Sequence, residues 1–388
     1  MKRVAMFLYV DSFESWFEKV LHLSQKGYLE SYRNDWVWYY AAGLQDNGID
    51  VFIYIPSLKY SGLYETHDGI KVRFLPLESW YQSVTRIPFF KRFPIGTYLQ
   101  EGINALAFKK AFTAGLNEDQ ISLLYIQEYW TARFDFLVQQ VDIPVIGSDH
   151  GGNDSIAFKF IKRNTFSKTC KLECQTLEEV EKVKALNGDA VLLSNGVNTD
   201  FFYPISGKQS SSEKTIFTVA RLTDKQKRTS DLIKALTYLD PEWSLEIAGT
   251  GPDLDSLKAL ASNLKVLERV RFLGFINDRE ILREKYNQCS IFAFPSAWEG
   301  FALAPLEAMS CGAAVVVSDI PSFKSLISDG INGVKVPIAQ PEILAQGIIK
   351  CYENRHSYGA EARKTVLNSF SSQKTFFQLA ELIKSCRS

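Results

Sequence analysis

The 388-residue sequence lacks an excess of positive charge, a long hydrophobic run and a leader-like N-terminus. Lysine and arginine together number 44, as do aspartate and glutamate, whereas a nucleic-acid-binding protein would show a basic surplus. No run of about 18 apolar residues predicts a transmembrane helix. The basic, then apolar N-terminus reaches Asp11 quickly, so we interpret it as a first strand and not as a signal peptide. We therefore expect a soluble cytoplasmic protein that does not bind nucleic acid.

Cysteine and histidine are scarce, with six and four copies, and they are scattered. Only Cys170 and Cys174 are close, and a C-x3-C pair without a second pair or a nearby histidine is a poor zinc signal. Cys289 and Cys311 fall in apolar stretches, as core thiols do. We predict no metal site, and free thiols fit a reducing compartment.

The length predicts two domains, because it exceeds what a single core usually supports. Apolar runs alternate with helical segments in both halves, which is typical of doubly wound α/β sheets. Strands are predicted at Val4–Tyr9, Asp50–Ile55, Val72–Leu75, Ile121–Ile126, Val145–Gly147 and Ala190–Ser194, and then at Thr215–Ala220, Ser244–Ala248, Val270–Gly274, Ser290–Phe294, Ala313–Ser318 and Gly333–Val336. The predicted domains are residues 1–195 and 196–370, followed by a helix within 371–388.

The most informative stretch, residues 294–312, reads as the end of a strand, a turn and a helix. A Pro-Ser pair stops the strand, one glycine gives a sharp bend, and a second glycine ends the apolar helix. Glu299 then lies in the turn, and Glu307 lies two turns along the helix. The backbone N–H groups predicted to open this helix are those of Phe301, Ala302 and Leu303.

The start of such a helix attracts an anion, because it carries about half a positive charge. Carboxylates repel phosphate, so the two glutamates are expected to hold hydroxyl groups of a sugar or a ribose. Taken alone, an E-x7-E spacing more often marks glutamates that cap a helix or lie on the surface. Here the spacing comes together with the turn, the apolar helix and a following strand that ends in Ser318-Asp319.

Basic residues follow the strand predicted at 215–220, where Arg221, Lys225 and Lys227 suit an anion, although a solvated charge run is the alternative. The sequence Gly249-Thr250-Gly251 reads as a tight turn. Asp253-Leu254-Asp255 matches the metal-binding D-x-D pattern, but it lies at a helix start, where acidic residues act as caps.

The first half carries weaker signals. His150 follows a predicted strand within a polar, glycine-rich tail, at the edge where doubly wound folds bind ligands. Residues 11–34 form a long polar and aromatic stretch. Residues 79–98 are basic and aromatic with two prolines, and they are interpreted as a loop packed on the domain, an acceptor loop or a surface that touches membrane lipid.

The second half resembles the family-4 retaining glycosyltransferases, which have the two-domain GT-B fold. Their donor-site pattern is E-G-F-G-L-x-x-L-E-A-M-A, and Ala302 and Ser310 are the departures here. Their P-N-G-V-D segment is similar to 194–198, with Ser194 and Asn198 in place of Pro and Asp. Their R-L-x-x-x-K segment fits with one extra residue, which favours Lys227 over Lys225. The glycine pair that follows their first strand is missing, and residues 11–34 stand there instead.

The resemblance implies two doubly wound domains facing a cleft, a C-terminal helix that crosses back to the first domain, and a nucleotide-diphosphate sugar as donor substrate, without a further cofactor. The implied roles are as follows: Arg221, Lys227 and the N–H groups of Phe301, Ala302 and Leu303 bind the diphosphate; Phe275 lies beside the base; Glu307 holds the ribose; Glu299 and His150 act on the transferred sugar.

The implied function is metal-independent, retaining transfer of a sugar to a hydroxyl acceptor, which is a glycan, a lipid-linked glycan or a small molecule. Residues 79–98 would then contact the inner membrane face. Two alternatives remain, namely a non-catalytic partner that binds the donor or acts as a scaffold, and a sugar-nucleotide epimerase with the same fold.

Overall fold

The structure, a computed structural model, describes residues 1–33, 35–85, 94–150, 158–205 and 214–386. The chain divides into two compact units. The first unit contains residues 1–193 together with 376–388, and the second contains residues 194–375. The C-terminal segment therefore returns to the first unit, as the sequence predicts.

The first unit is built on an eight-stranded sheet. Its strands are β1 (Lys2–Phe7), β2 (Ile49–Ser57), β3 (Gly62–Glu65), β4 (Lys71–Pro76), β5 (Leu123–Gln127), β6 (Val145–Ser148), β7 (Lys171–Cys174) and β8 (Ala190–Leu192). The order is β3-β4-β2-β1-β5-β6-β7-β8, and every pair is parallel except β3 with β4. The central strands are apolar on both faces, as expected where helices cover both sides of a parallel sheet.

Helices cover this sheet on both faces. They are α1 (Gln25–Glu30), α2 (Trp36–Asp46), α3 (Tyr81–Thr85), α4 (Pro94–Glu118), α5 (Ala132–Val138), α6 (Lys159–Phe166) and α7 (Leu177–Lys184). The hydroxyls of Thr131 and Thr176 cap α5 and α7 by accepting the N–H groups of Phe134 and Glu179. Strands β3 and β7 were not predicted, because β3 is an exposed edge strand and β7 is only four residues long.

The second unit has a six-stranded, fully parallel sheet. Its strands are β9 (Thr215–Val219), β10 (Ser244–Ala248), β11 (Val270–Gly274), β12 (Ile291–Phe294), β13 (Val315–Ser318) and β14 (Val334–Val336), in the order β11-β10-β9-β12-β13-β14. All six were predicted within a few residues. The α/β class with two parallel, Rossmann-like sheets is confirmed.

The helices of the second unit connect these strands. They are α8 (Asp224–Lys227), α9 (Thr229–Ala235), α10 (Leu254–Asn263), α11 (Arg279–Gln288), α12 (Leu303–Ser310), α13 (Pro341–Glu353) and α14 (Arg355–Ser369), and α15 (Ser372–Ser385) follows. Helix α12 ends where predicted, with Gly312 at a φ of 77°, a conformation that glycine adopts without strain.

Helix α15 packs into the first unit from Phe376 onward. Leu379, Ala380 and Ile383 are fully buried in the same apolar core as strands β1 and β2. A side chain at Gly43 would come within 2.0 Å of the Phe376 ring, so this position of α2 requires glycine. The burial of one apolar face explains why the last helix belongs to the first unit.

A disulfide also ties the C-terminal segment to the first unit. Cys170 precedes β7 and is bonded to Cys386, 216 residues further along the chain. The sequence analysis paired neither of them, because nothing in the pattern brings such distant residues together. Cys174, Cys289, Cys311 and Cys351 are free and buried, which confirms the prediction of core thiols at Cys289 and Cys311.

Residues 11–33, described in the sequence only as a polar and aromatic stretch, fold into a π-helical turn at Glu14–Glu18 and helix α1. The rings of Phe17 and Tyr28 lie 4.5 Å apart in the core. The buried Glu14 carboxylate accepts the Ser57 hydroxyl at 2.6 Å and the backbone N–H of Leu58 at 2.8 Å. Aromatic packing and these hydrogen bonds fix the segment without a glycine pair.

Of residues 79–98, the structure describes 79–85 and 94–98, so Pro88 and the cations Arg86, Lys91 and Arg92 lie outside the described residues. Tyr81 is buried, and its hydroxyl accepts the side-chain amide of Asn104 at 2.9 Å, whereas Trp80 is 41% exposed. Helix α4 begins at Pro94, a residue that suits a first helical turn. Among the described residues, no helix is long and apolar enough to cross a membrane.

Candidate functional site

The candidate site lies where the strand order of the second sheet reverses. Strands β9 and β12 are adjacent and parallel, and Ile216 and Phe217 pair with Ile291 and Phe292. From β9 the chain moves outward to β10 and β11, and from β12 it moves the opposite way to β13 and β14. Doubly wound folds bind ligands in the crevice at the carboxyl ends of two such strands.

The loop after β9 carries Arg221 and helix α8, and its backbone is held by two aspartates. Asp253 accepts the backbone N–H of Asp224 at 2.7 Å, and Asp224 accepts the N–H of Ser230 at 2.7 Å. Arg228, which ends α8, has a φ of 54° and pairs with Asp231 at 2.9 Å. The Asp253 carboxylate thus caps α8, which is a structural role for the first acid of the D-x-D sequence.

The loop after β12 is fastened to the loop after β9. The backbone N–H of Ala297 donates to the carbonyl of Gln226 at 2.7 Å, and the Gln226 amide donates to the carbonyl of Trp298 at 3.2 Å. The Ser322 hydroxyl donates to the carbonyl of Glu299. These bonds hold the turn at residues 296–299 beside α8.

An ion pair joins two of the predicted site residues. The Lys227 ammonium lies 2.6 and 2.9 Å from the two carboxylate oxygens of Glu299. The two side chains are only 15% and 7% exposed, and the ammonium also lies 5.2 Å from the Phe294 ring centroid. The residue predicted to bind diphosphate and the residue predicted to meet the sugar therefore sit together at the switch point.

Glu307 lies on α12 behind Tyr286, whose hydroxyl donates to its carboxylate at 2.8 Å. Glu307 is partly buried, and this burial raises the pKa of its carboxyl group to about 7. Tyr286 opposes this shift through its hydrogen bond, as does the positive charge of Arg279. Glu307 therefore changes its charge near neutral pH.

The amino end of α12 differs in detail from the prediction. The helix begins at Leu303, with Ala302 as N-cap, and no side chain caps it. Phe301 precedes the helix and is buried, with its ring 5.8 Å from that of Phe370. Pro305, at the third helical position, has no N–H to offer. The free N–H groups of the first turn are therefore fewer than in an ordinary helix start.

The Gly-Thr-Gly turn after β10 lies against the loop after β9. A side chain at Gly249 would come within 1.9 Å of the carbonyl oxygen of Ala220, and one at Gly251 within 2.3 Å of that of Leu222. The turn is thus required for close packing at the carboxyl edge. Phe275 follows β11 at the same edge and is 66% exposed. Two strand spacings, roughly 10 Å, separate β11 from β9.

His150 belongs to the first unit and follows β6. Its ring lies 4.8 Å from that of Trp36 and 5.4 Å from that of Tyr40. Its backbone N–H donates to the carboxylate of Glu128, a residue with a φ of 61°. Burial and a hydrogen bond with Asp149 raise the Glu128 pKa to about 9. The histidine is therefore fixed among aromatic rings beside a carboxyl group whose pKa is raised.

The first unit has its own crevice at the switch point between β1 and β5, with a volume of about 590 Å³. The rings of Tyr9, Trp16 and Trp36 line it, together with the carboxyl groups of Asp11 and Asp35. Burial raises the Asp35 pKa to about 6. Since Trp36 also touches His150, the crevice extends toward the end of β6.

Sequence reasoning missed the residues that hold these groups in place. Gln226 lies inside the basic segment, but its spacing gives no sign of its contact with the turn at 296–299. Tyr286 and Ser322 lie in segments without a motif, and Trp36 is one of several aromatic residues near its position. The strand order of each sheet, which sequence spacing does not show, brings these residues to the groups that they contact.

The two parallel sheets and their strand order define a two-unit, Rossmann-like α/β protein. The model of the family "Glycosyl transferases group 1" matches residues 203–365 of this chain.

Curated relatives match over part of their length. An uncharacterized glycosyltransferase of Methanocaldococcus jannaschii is 31% identical over 218 residues, which cover 53% of this chain and 55% of the relative. A phosphatidyl-myo-inositol mannosyltransferase of Mycobacterium tuberculosis is 32% identical over 189 residues, covering 45% and 47%. The chain thus spans about half the length of the curated relatives it matches.

Solved structures match over the whole chain. Sucrose-phosphate synthase from Thermosynechococcus elongatus has a TM-score of 0.77 at 18% identity, covering 99% of this chain and 98% of that one. HepE of Anabaena, solved in complex with UDP, has a TM-score of 0.72 at 16% identity, covering 99% and 100%. The neighbours are GT-B glycosyltransferases, and the likeness assigns this fold to the chain.

Proposed function

We propose that this protein is a glycosyltransferase that moves a sugar from a nucleotide-diphosphate sugar to a hydroxyl acceptor, with retention at the anomeric carbon and without a metal ion. The observation that carries the proposal is the Lys227–Glu299 pair at the switch point of a Glycosyl transferases group 1 domain. The structural neighbours include complexes with UDP and UDP-glucose, which supports a nucleotide sugar as donor.

The donor diphosphate would lie at the carboxyl ends of β9 and β12. Arg221 and Lys227 supply positive charge, and the N–H groups of Phe301, Ala302 and Leu303 donate hydrogen bonds. Charge that grows on the departing diphosphate is stabilised by groups already in place, an effect worth about 3–4 kcal/mol per donor. The Lys227 ammonium is paired with Glu299. Donor binding must therefore redirect this cation from the carboxylate to the phosphate.

Glu299, released in this way, accepts hydrogen bonds from hydroxyls of the transferred sugar, and Glu307 accepts those of the ribose. Phe275 is proposed to lie beside the base, which its 66% exposure permits. His150 is proposed to donate a hydrogen bond to the sugar; this role stays a prediction, and a His150→Ala variant with unchanged turnover would refute it. The acceptor hydroxyl attacks the anomeric carbon, its proton leaves with the diphosphate, and no protein nucleophile is invoked.

The acceptor is proposed to enter the crevice between β1 and β5. Aromatic rings and carboxyl groups on one wall suit a sugar ring, because apolar ring faces stack on aromatics and carboxylates accept hydroxyl hydrogen bonds. This arrangement fits a glycan, a lipid-linked glycan or a small glycoside. A Trp36→Ala variant is expected to raise the KM for the acceptor more than it lowers kcat.

A peripheral position at the inner membrane face is proposed for residues 79–98. The Tyr98 ring lies 5.3 Å from that of Phe158, which joins the start of α4 to the start of α6. There Phe160 is 85% exposed and is flanked by the exposed Lys159 and Arg163. Exposed aromatic and basic groups suit a lipid surface.

The test is a transfer assay with the nucleotide sugar and a panel of acceptors. Retention is expected in the anomeric configuration of the product by NMR, and a metal chelator is expected to leave the rate unchanged. Donor binding without transfer to any acceptor would favour a scaffold partner. Conversion of the donor sugar to its epimer would favour the epimerase alternative.

A further inference from the structure

A second cavity lies at the opposite edge of the second sheet, away from Lys227 and Glu299. It has a volume of about 460 Å³, within the range of small-molecule sites. Ser290, which precedes β12, and Ala313 and Ala314, which precede β13, line its floor. The first two turns of α14 form one wall, so the cavity is at the amino ends of these strands.

The lining of this cavity is positively charged. Arg355, His356 and Arg363 line the cavity. The described residues of the lining include no aspartate and no glutamate. A carboxylate partner would normally accompany two arginines in such a setting, because a desolvated charge without compensation is unfavourable.

Among the described residues, the hydrogen-bond acceptors of the Arg363 guanidinium are all neutral oxygen atoms. Its guanidinium donates to the backbone carbonyls of Ser310 at 2.7 Å, Phe202 at 2.8 Å and Thr199 at 3.1 Å, and to the Ser310 hydroxyl at 2.7 Å. Burial lowers the pKa of Arg363 from its ordinary value. These contacts fix the position of the guanidinium, and the negative charge of Asp200 partly opposes the effect of burial on its pKa.

Arg355 likewise contacts neutral groups among the described residues. One of its terminal nitrogens donates to the carbonyl of Tyr352 at 2.9 Å, and the group stacks on the Tyr352 ring at 4.2 Å. Its Nε atom is buried and has no hydrogen-bond partner among the described residues. A buried N–H donor without a partner is unfavourable, and a bound acceptor would remove this cost.

We propose that this cavity binds a small phosphate-bearing anion, held by Arg355 and Arg363 and closed at the rim by His356. Guanidinium groups match the geometry of phosphate oxygens and bind them through paired hydrogen bonds. Close packing shapes the site, since a side chain at Gly359 would come within 2.2 Å of the Gly312 carbonyl oxygen. The site is separate from the proposed donor diphosphate site and does not depend on it.

Isothermal titration of the full chain with inorganic phosphate tests the proposal. The wild type is expected to bind one phosphate per chain with millimolar affinity, and Arg355→Ala is expected to weaken this by about tenfold. Lys364→Ala, on the same helix but 66% exposed and outside the cavity, removes the same charge and is the matched control. Glycerol 3-phosphate in a second titration separates a preference for a phosphate ester from one for free phosphate.

A second variant keeps the test independent of the donor site. Lys227→Ala is expected to leave phosphate binding in this cavity unchanged. Equal affinity in wild type and Arg355→Ala, or no binding by the wild type up to about 10 mM phosphate, would overturn the proposal. Loss of binding in Lys227→Ala would also overturn it, because the phosphate would then occupy the other site. Unfolding temperatures of all variants, measured without phosphate, show whether each one is folded.

Discussion

The pKa of Glu307 leads to a prediction that links donor affinity to pH. The partly buried carboxyl group lies beside Tyr286, and burial raises its pKa to about 7. An ionised carboxylate accepts hydrogen bonds from both ribose hydroxyls, whereas the protonated group must use one oxygen as a donor. We therefore expect the nucleotide sugar to bind more tightly as pH rises through 7, and Glu307→Gln to remove this dependence.

The expected size follows from the titration. With a pKa of about 7, the group is roughly 9% ionised at pH 6 and roughly 91% ionised at pH 8, so affinity should rise by about tenfold. Stability should change in the opposite direction. The folded-state pKa is raised, so the unfolded chain releases this proton first, and stability falls as pH rises from about 4.5 to 7. At pH 8 the loss is at most about 3 kcal/mol.

The assay is a calorimetric titration of wild type and Glu307→Gln with the nucleotide sugar that a thermal-shift screen selects. A nucleotide sugar is preferred to a free nucleoside diphosphate, because a terminal phosphate itself titrates near pH 6. Glu307→Gln keeps an oxygen that accepts the Tyr286 hydroxyl, so it should be more stable than wild type at pH 8 and similar at pH 4.5. A pH-independent wild type, or the same rise with pH in the variant, would refute the reasoning.

Three further predictions concern the first unit. Glu173 is fully buried with its pKa raised to about 8 by burial, so Glu173→Gln should raise the unfolding temperature at pH 8 but not at pH 5; an equal change at both would contradict this. Phe160→Ala should weaken sedimentation with anionic vesicles, while Leu177→Ala, 63% exposed on an acidic helix, should not; equal effects would count against the membrane surface. Removing the Cys170–Cys386 link with Cys386→Ser should lower the free energy of unfolding by about 2–4 kcal/mol in urea, and no change without reductant would show that the bond does not form.

The sequence predicted the second unit well because its strands are apolar runs and its turns contain glycine and proline. Glu299 and Lys227 were both predicted to belong to the site, but their direct contact was not predicted. It depends on β9 and β12 being neighbours, although 72 residues separate the two side chains. Periodicity reports which face of an element is buried. It does not report which elements are adjacent, and the site is built from that adjacency.

The first unit shows the same limit more strongly. The glycine pair of the resembling family is absent, and a packed aromatic segment around Phe17 and Tyr28 replaces it, which composition alone described only as polar and aromatic. His150 was found at a strand end, but its contact with Trp36 arises because the start of α2 reaches the same region. Strand β3 was missed because an exposed edge strand has no buried face to produce an alternating pattern.

The most direct test of the central claim is nucleotide binding at the switch point. Wild type, Lys227→Ala and Lys225→Ala are compared by thermal shift with UDP, GDP, ADP and their sugars. Lys225 lies on the same short helix but is exposed and outside the ion pair with Glu299. The Lys225→Ala variant therefore removes the same charge without breaking that pair. We predict a shift with one nucleotide that Lys227→Ala loses and Lys225→Ala keeps. No shift with any nucleotide, or equal loss in both variants, would contradict the assignment of a donor site to this crevice.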